Sequence, residues 1–295
     1  MKHSELAALL KLLDDSDKEV YDLVSLQLTK MGNEVVPFLE KAWENSLNDV
    51  FQSRIENIIQ AIQFKSVISG LENWVQQEKP DLFLGAFLVA QYQYPDLKIG
   101  ILEQKLSEIE NDLKREYNNH LTALEKVKII NHIFFDIHKF SRNTTNYYAP
   151  QNSYINHVLN EKKGNSISMS IIYAVLAQRL GLPVFGVNLP KNFILAYLDE
   201  RASKLENPEQ TTVLFYINPY NRGAVLGKKE IDYFVKQQNL EPTSSHYLPC
   251  STITLIERLI FNLIYSYEKL GYPDKIQQLE LLYDVVSKGN TSKEY

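Results

Sequence analysis

A mostly helical chain with a small α+β core is the fold class predicted, and three observations carry it. Apolar residues recur at spacings of three and four along most of the 295 residues. One segment, 167–180, is apolar or small nearly all round, as a helix buried on every side must be. Directly after it come three short strand-like runs, 184–187, 193–198 and 212–217, and a helix followed by antiparallel strands is an α+β signature.

Taking the elements in order, Leu6, Leu9, Leu10 and Leu13 mark a first helix, and Val20, Leu23, Val24 and Leu28 a second. Between them Asp14-Asp15-Ser16-Asp17 offers side-chain acceptors for the free N–H groups of the second helix, and Gly32 stands where that helix should stop. A third helix, about 34–43, carries Pro37 in its first turn, where a missing donor costs least, and a fourth runs over about 50–64. The pattern Leu-Leu-x-Asp-x-x-x-x-Val followed by Leu-x-x-x-Gly resembles helical repeats of the HEAT type, so 1–66 is expected to be a set of stacked helical hairpins.

Residues 67–141 are expected to be helices packing on the core, with Pro80 and Pro95 at boundaries and an amphipathic helix over 99–117. Leu124, Val127, Ile130, Ile133, Phe134 and Ile137 form a further apolar stripe. His132 and His138 are six apart, which puts them on different sides of a helix and not on one metal-binding face. The polar run Arg142 to Pro150 opens the core, assigned to 142–240. Its buried helix is prepared by Gly164-Asn165-Ser166, with Ser166 read as the cap, and is closed by Gly181. After His246 two helices, with Leu255, Leu259, Leu263 and Tyr267 on one face of the first, form a closing pair over 250–287 that resembles a tetratricopeptide hairpin. Residues 287–295 are expected to be a loose tail.

Composition narrows the function classes. There are 31 basic and 36 acidic side chains, a formal charge of −5, and no cluster of Lys and Arg of the kind a phosphate backbone requires, which argues against nucleic acid. Cys250 is the one cysteine, so neither an internal disulfide nor a thiolate metal cluster is available, and a reducing compartment, the cytoplasm, is expected. Glu5 and Lys11 interrupt the N-terminal apolar residues before a secretory segment develops, and no uncharged apolar run approaches the ~20 residues of a membrane span, so neither export nor a membrane is expected.

The residues Asn152-Ser153-Tyr154, Val158-Leu159, Lys163-Gly164, Ile167-Ser168, Tyr173, Ala177, Arg179-Leu180-Gly181-Leu182-Pro183-Val184, Gly186-Val187, Leu189-Pro190 and Phe193, continued by Ile217-Asn218-Pro219-Tyr220 and Gly223, form a long ordered set. Over this quarter to third of the chain the sequence resembles the SirB branch of the transglutaminase-like superfamily, and the resemblance implies a papain-like core. Active members of that superfamily place a Cys at the start of the buried helix, a His on a following strand and an Asp on the next. A helix N-terminus favours thiolate, imidazole carries the proton, and the carboxylate holds the imidazole in its useful tautomer. Here the matching positions are Ser166, Asn192 (within Leu189-Pro190-Lys191-Asn192-Phe193) and Asn218. A hydroxyl without a base is a poor nucleophile, and carboxamides neither accept a proton near neutral pH nor carry charge. No catalytic residue is therefore expected, and the core is read as a pseudoenzyme.

Two readings of these positions stay open. Ser166, Asn192 and Asn218 are a capping serine and two structural amides, or they are polar contacts for a ligand in the former active-site cleft, with Tyr148, Asn152 and Tyr154 beside them. Protein or peptide is the expected partner, and no cofactor or metal is implied. The alternative is a hydrolase or transferase acting on peptide-like substrates through Ser166 or a residue such as Glu161, and a third reading confines binding to 1–66. His246 and Cys250 could be imagined as a relocated base and thiol, but a lone cysteine more often serves as a small buried hydrophobe. The pairs Lys162-Lys163 and Lys228-Lys229 read as solvated charge.

Overall fold

The structure, a computed structural model, describes residues 3–118, 120–190, 192–199 and 212–291. It divides the chain into two units, one ending at Gly70 and one beginning at Leu71.

In the first unit, α1 (His3–Leu12), α2 (Lys18–Met31), a short 3₁₀ turn (Gly32–Val35), α3 (Val36–Glu44) and the first part of α4 (Asp49–Val75) surround a core that includes Leu6, Leu13, Leu28, Leu39, Ile55 and Ile58. The α1–α2 turn is tied by acceptors: Asp17 Oδ1 takes the Glu19 N–H at 2.8 Å and Asp15 Oδ1 that of Asp17 at 3.0 Å. From α4, the Arg54 guanidinium donates to the Leu13 and Asp15 carbonyls at 2.8 and 2.6 Å, closing the orphan acceptors at the end of α1. Gly32 ends α2 at φ 72°, in the left-handed region that favours glycine. Leu23, expected on the buried stripe, is instead exposed. The fourth helix also runs past its expected end near 64, to Val75. No proline interrupts it, a lone Gly70 costs only ~1 kcal/mol in a helix, and Val67, Leu71 and Trp74 provide buried surface beyond it.

The second unit begins with the end of α4, then α5 (Leu82–Gln93), α6 (Ile99–Glu116) and α7 (Ala123–Asn131), which runs into a π-helical turn, His132–Ile137. Asp81 caps α5 by accepting the Leu84 N–H at 2.7 Å, and its carbonyl accepts the buried Trp74 indole N–H at 2.7 Å. Within the α7 stripe Leu124, in the first turn, and Ile137, in the π turn that widens the helix, are exposed. His132 sits 3.3 Å from Asp136, and His138 sits 2.9 Å from Asp112.

A two-residue parallel pair, β1 (Ser141–Arg142) with β2 (Lys163–Gly164), brackets α8 (Ile155–Glu161). Next come α9 (Ser166–Arg179) and an antiparallel meander of β3 (Val184–Val187), β4 (Ile194–Leu198), β5 (Val213–Asn218) and β6 (Ala224–Leu226). Every residue from Ile167 to Ala177 is buried, so α9 is the central helix that its composition predicts. It ends in a Schellman closure: Leu182 N–H donates to the Ala177 carbonyl at 3.0 Å and Gly181 N–H to that of Gln178 at 2.9 Å, with Gly181 at φ 75°. β4 is buried along its length, and Ile194, Ala196, Tyr216, Ile231 and Val235 form a core between the sheet and α10 (Lys228–Gln237). The chain closes with the hairpin of α11 (Thr252–Leu270) and α12 (Pro273–Thr291). The expected tail from 287 is therefore helical as far as Thr291, with Gly289 packed closely against Val75. Residues 292–295 lie outside the described residues.

A buried relay fixes the far end of the sheet. The Tyr173 hydroxyl, at the centre of α9, donates to Asn131 Oδ1 at 2.8 Å, and Asn131 Nδ2 donates to the Gly223 carbonyl at 2.9 Å. Gly223 has φ 68° and lies so close to the Asn131 amide that any Cβ would overlap it, whereas Gly181 at φ 75° faces open space. Gly181→Ala should therefore lose only the left-handed backbone penalty of roughly 1–2 kcal/mol. Gly223→Ala should lose that and also the relay, roughly 2–4 kcal/mol together. Urea unfolding of the two variants checks the order, and equal losses would refute the relay's role.

Candidate functional site

The polar network beneath the start of α9 determines what the site can be. Asn165, not Ser166, caps the helix: its Oδ1 accepts the Ser168 N–H at 3.0 Å while its own N–H donates to Ser168 Oγ at 3.1 Å. A cap must precede the first helical residue with extended backbone, and Asn165 (φ −95°, ψ −177°) has that geometry. Ser168 Oγ donates to the Asn152 carbonyl at 2.6 Å, and Asn165 Nδ2 donates to Ser153 Oγ at 2.8 Å. Gly164 is required beneath this network, since a Cβ there would stand 2.6 Å from Ser168 Oγ. Freed from capping, Ser166 occupies the first helical position with its side chain half-buried.

Ser166 lines a cavity of about 450 Å³, together with Asn165, Ile167 and Phe193. Asn152 is buried and not among the lining residues, but it anchors the adjoining loop: Nδ2 donates to the carbonyls of Asn146 and Tyr147 at 2.8 and 3.1 Å, and Oδ1 accepts from Asn143 at 2.8 Å. That clamp fixes the loop that places Tyr147 and Tyr148 at the mouth, with ring centroids 5.2 Å apart. Across from them α11 contributes Arg258, Phe261, Asn262, Tyr265 and Ser266, and Tyr265 meets Tyr148 edge-on at 5.9 Å. These five positions fall at i, i+3, i+4, i+7 and i+8, one face of a helix. Leu255, Leu259, Leu263 and Tyr267, the face marked by the apolar periodicity, form the neighbouring stripe and are buried. The polar stripe beside it was the available signal for the second wall.

The remaining candidates fall elsewhere. Asn192 is half-buried with its N–H bonded to the Leu189 carbonyl at 3.2 Å, and is not among the lining residues, although its neighbour Phe193 is. Lys191 lies outside the described residues. Asn218 caps the turn Pro219–Asn221, its Oδ1 accepting the Asn221 N–H at 3.2 Å. Tyr154 is buried with its hydroxyl 3.3 Å from that of Tyr267, and borders a separate cavity of about 230 Å³. Glu161 is exposed at the end of α8 and does not reach the cavity lining. Among the described residues that line the cavity there is neither an imidazole nor a carboxylate. Its cation is Arg258, whose pKa burial lowers. Among the described residues no group of three or more His, Cys, Asp or Glu could hold a metal ion, and no helix is long and apolar enough to cross a membrane.

Cys250 and His246 do not form a working pair. His246 Nδ1 accepts the Thr243 N–H at 3.4 Å, and the Cys250 backbone N–H is bonded to the Gly186 carbonyl at 2.8 Å. Burial pushes the thiol up from 9.0 to about 12, so it is protonated at neutral pH and a poor nucleophile. Because the folded value lies above the ordinary one, the group favours the folded state fully below pH 9, and that contribution is lost as the pH rises toward 12. Alkylation of the folded chain by iodoacetamide should be slow and still rising about tenfold per pH unit at pH 9, while the urea-unfolded chain reacts much faster and begins to level off there, as an ordinary thiol does. Equal rates for the two forms would contradict this assignment.

The transglutaminase-like superfamily matches over residues 101–261, which runs from the first turn of α6 through the core to the middle of α11, the first helix of the closing hairpin. A UPF0162 protein of Xylella fastidiosa is 29% identical over 157 residues, covering 53% of this chain and 52% of that protein. F-box only protein 21 of Mus musculus is 29% identical over 174 residues, covering 52% of this chain and 26% of that protein. The UPF0162 protein BU173 of Buchnera aphidicola is 27% identical over 163 residues, 54% of this chain and 55% of that protein. The chain thus spans about half the length of the UPF0162 relatives, and a smaller part of the F-box protein. No solved structure matches it at a significant level. A central helix packed on an antiparallel sheet, matched over more than half its length by one family, makes this chain a member of the transglutaminase-like superfamily.

Proposed function

We propose that this chain is a non-catalytic transglutaminase-like protein of the SirB type, and that the cleft beside Ser166 binds a peptide segment of a partner protein. One observation carries the reading: the hydroxyl at the start of α9 opens onto a cavity whose described lining offers no base. Serine needs a neighbouring proton acceptor to attack, and the nearest titratable side chains of the lining are phenols and a guanidinium. What the cavity does offer suits an extended peptide. Asn262 presents an amide that both donates and accepts, and Tyr148, Phe261 and Tyr265 present aromatic surface of the kind that dominates recognition sites. In this reading the helical flanks, HEAT-like before and tetratricopeptide-like after, extend the scaffold, and the protein works in the cytoplasm.

An unbiased peptide display library panned against the full chain tests the proposal. Enriched peptides should shift the amide resonances of Ser166 and Tyr148, and Tyr148→Ala should weaken them roughly tenfold or more, as loss of an aromatic anchor does. The same peptides should be recovered uncut and unattached by mass spectrometry. Cleavage or acyl transfer that disappears in Ser166→Ala would replace this reading with the hydrolase or transferase alternative.

A further inference from the structure

Arg258 is the feature of the cavity that peptide binding alone leaves without a purpose. It lies in α11, half-buried, and lines the cavity, yet no hydrogen bond or ion pair joins its guanidinium to any described residue. Among the described residues, the ionisable groups that influence its titration are the Cys250 thiol and the Tyr283 phenol, and no carboxylate is among them. Another half-buried guanidinium among the described residues of this unit is treated differently: Arg179 is held by Glu103 at 2.8 Å. A partly desolvated cation without a counter-charge is costly, and folded proteins pair such groups. No described residue supplies that partner, and it is therefore to be sought in the ligand.

We infer that Arg258 receives a carboxylate of the bound peptide in the cavity between α11 and the start of α9. This rests on the peptide-binding reading above and specifies its ligand. The planar fork of N–H donors on arginine matches the two oxygens of a carboxylate. Charge selects the same anion: among the described lining residues there is one cation, which a single negative charge balances. A phosphate dianion would leave an excess charge among the rings of Tyr148, Phe261 and Tyr265. A cavity of about 450 Å³ also holds much more than an ion. The carboxylate would bring an adjoining apolar side chain against those rings, with Asn262, one turn along α11 from Arg258, beside the peptide backbone. The Ser166 hydroxyl, on the facing wall, is a further donor to the anion and not an attacking group.

The source of the carboxylate, a chain terminus or an acidic side chain, is separated by three probes. These are an acetylated alanine–phenylalanine–alanine tripeptide with a free C-terminus, the same tripeptide as its amide, and an amidated version with glutamate in the last position. Each is titrated into the isotope-labelled full chain while the Arg258 side-chain Nε–H and the Ser166 amide are followed. At least one carboxylate probe should bind roughly ten- to a hundredfold more tightly than the amide, the worth of one charge-assisted hydrogen-bonded pair. The free acid winning assigns a terminus, and the glutamate probe winning assigns a side chain. Arg258→Gln should abolish the preference and Arg258→Lys should keep part of it, and neither variant should unfold below the wild-type temperature, because the guanidinium bonds to no described residue. If all three probes shift Ser166 equally, the carboxylate assignment fails while peptide binding stands. If none shifts it, both fail. Displacement of the carboxylate probe by an equal concentration of inorganic phosphate would also overturn the assignment.

Discussion

A helix buried on every side can be seated only if its first N–H groups find partners out of reach of water, and in α9 one small polar network meets that demand. Asn165 and Ser168 cap one another, Ser168 reaches the Asn152 carbonyl, and the Asn152 side chain in turn clamps the loop before it. Each such bond contributes about 1 kcal/mol net, but leaving any of these buried groups unpaired costs about 1–3 kcal/mol, so the network acts as a unit. Three consequences follow from it. α9 is fixed at its N-terminus, Ser166 is released from capping, and Tyr147 and Tyr148 are carried to the mouth of the cavity. The Schellman closure ends the same helix at Gly181, and the Tyr173–Asn131–Gly223 relay ties its middle to the turn before β6.

The cavity is thus a product of this seat and of α11, and its chemistry is set by what α11 brings. In the papain-like arrangement that the resemblance implies, the strands would supply the base and its orienting acid. Here the strand-side positions are carboxamides, and they stand apart from the hydroxyl: Asn218 is occupied in capping a turn, and Asn192 is outside the lining. In place of a base the helix hairpin contributes a guanidinium, an amide and two rings. A guanidinium cannot take a proton, so the electrostatics of the site favour holding a negative group over activating a neutral one.

Much of the fold was legible in the sequence because it rests on local chemistry. The spacing of Leu6, Leu9 and Leu13, the all-round apolar character of 167–177 and the glycines at 32 and 181 each report a backbone requirement that nearby residues satisfy. What was not legible depends on distant contacts. The capping role passed from Ser166 to Asn165 because Asn152 and Ser153, more than ten residues away, determine which side chain can turn inward. The extension of α4 beyond 64 and of α12 beyond 287 reflects surface that only the packed unit provides, such as Val75 against Gly289. β6, at three residues, is too short to produce an alternating pattern. Likewise Ser166 could be singled out from its matching position, whereas Arg258 and Asn262 belong to a helix 90 residues on, and only the fold brings them across the cavity.

The central claim is that Ser166 has no base and is therefore an ordinary hydroxyl. Incubating the full chain with a serine-directed fluorophosphonate and reading the intact mass tests it most directly. The account predicts no adduct at Ser166, with wild type and Ser166→Ala reacting at the same background rate. A stoichiometric adduct on wild type that the Ser166→Ala variant lacks would contradict it.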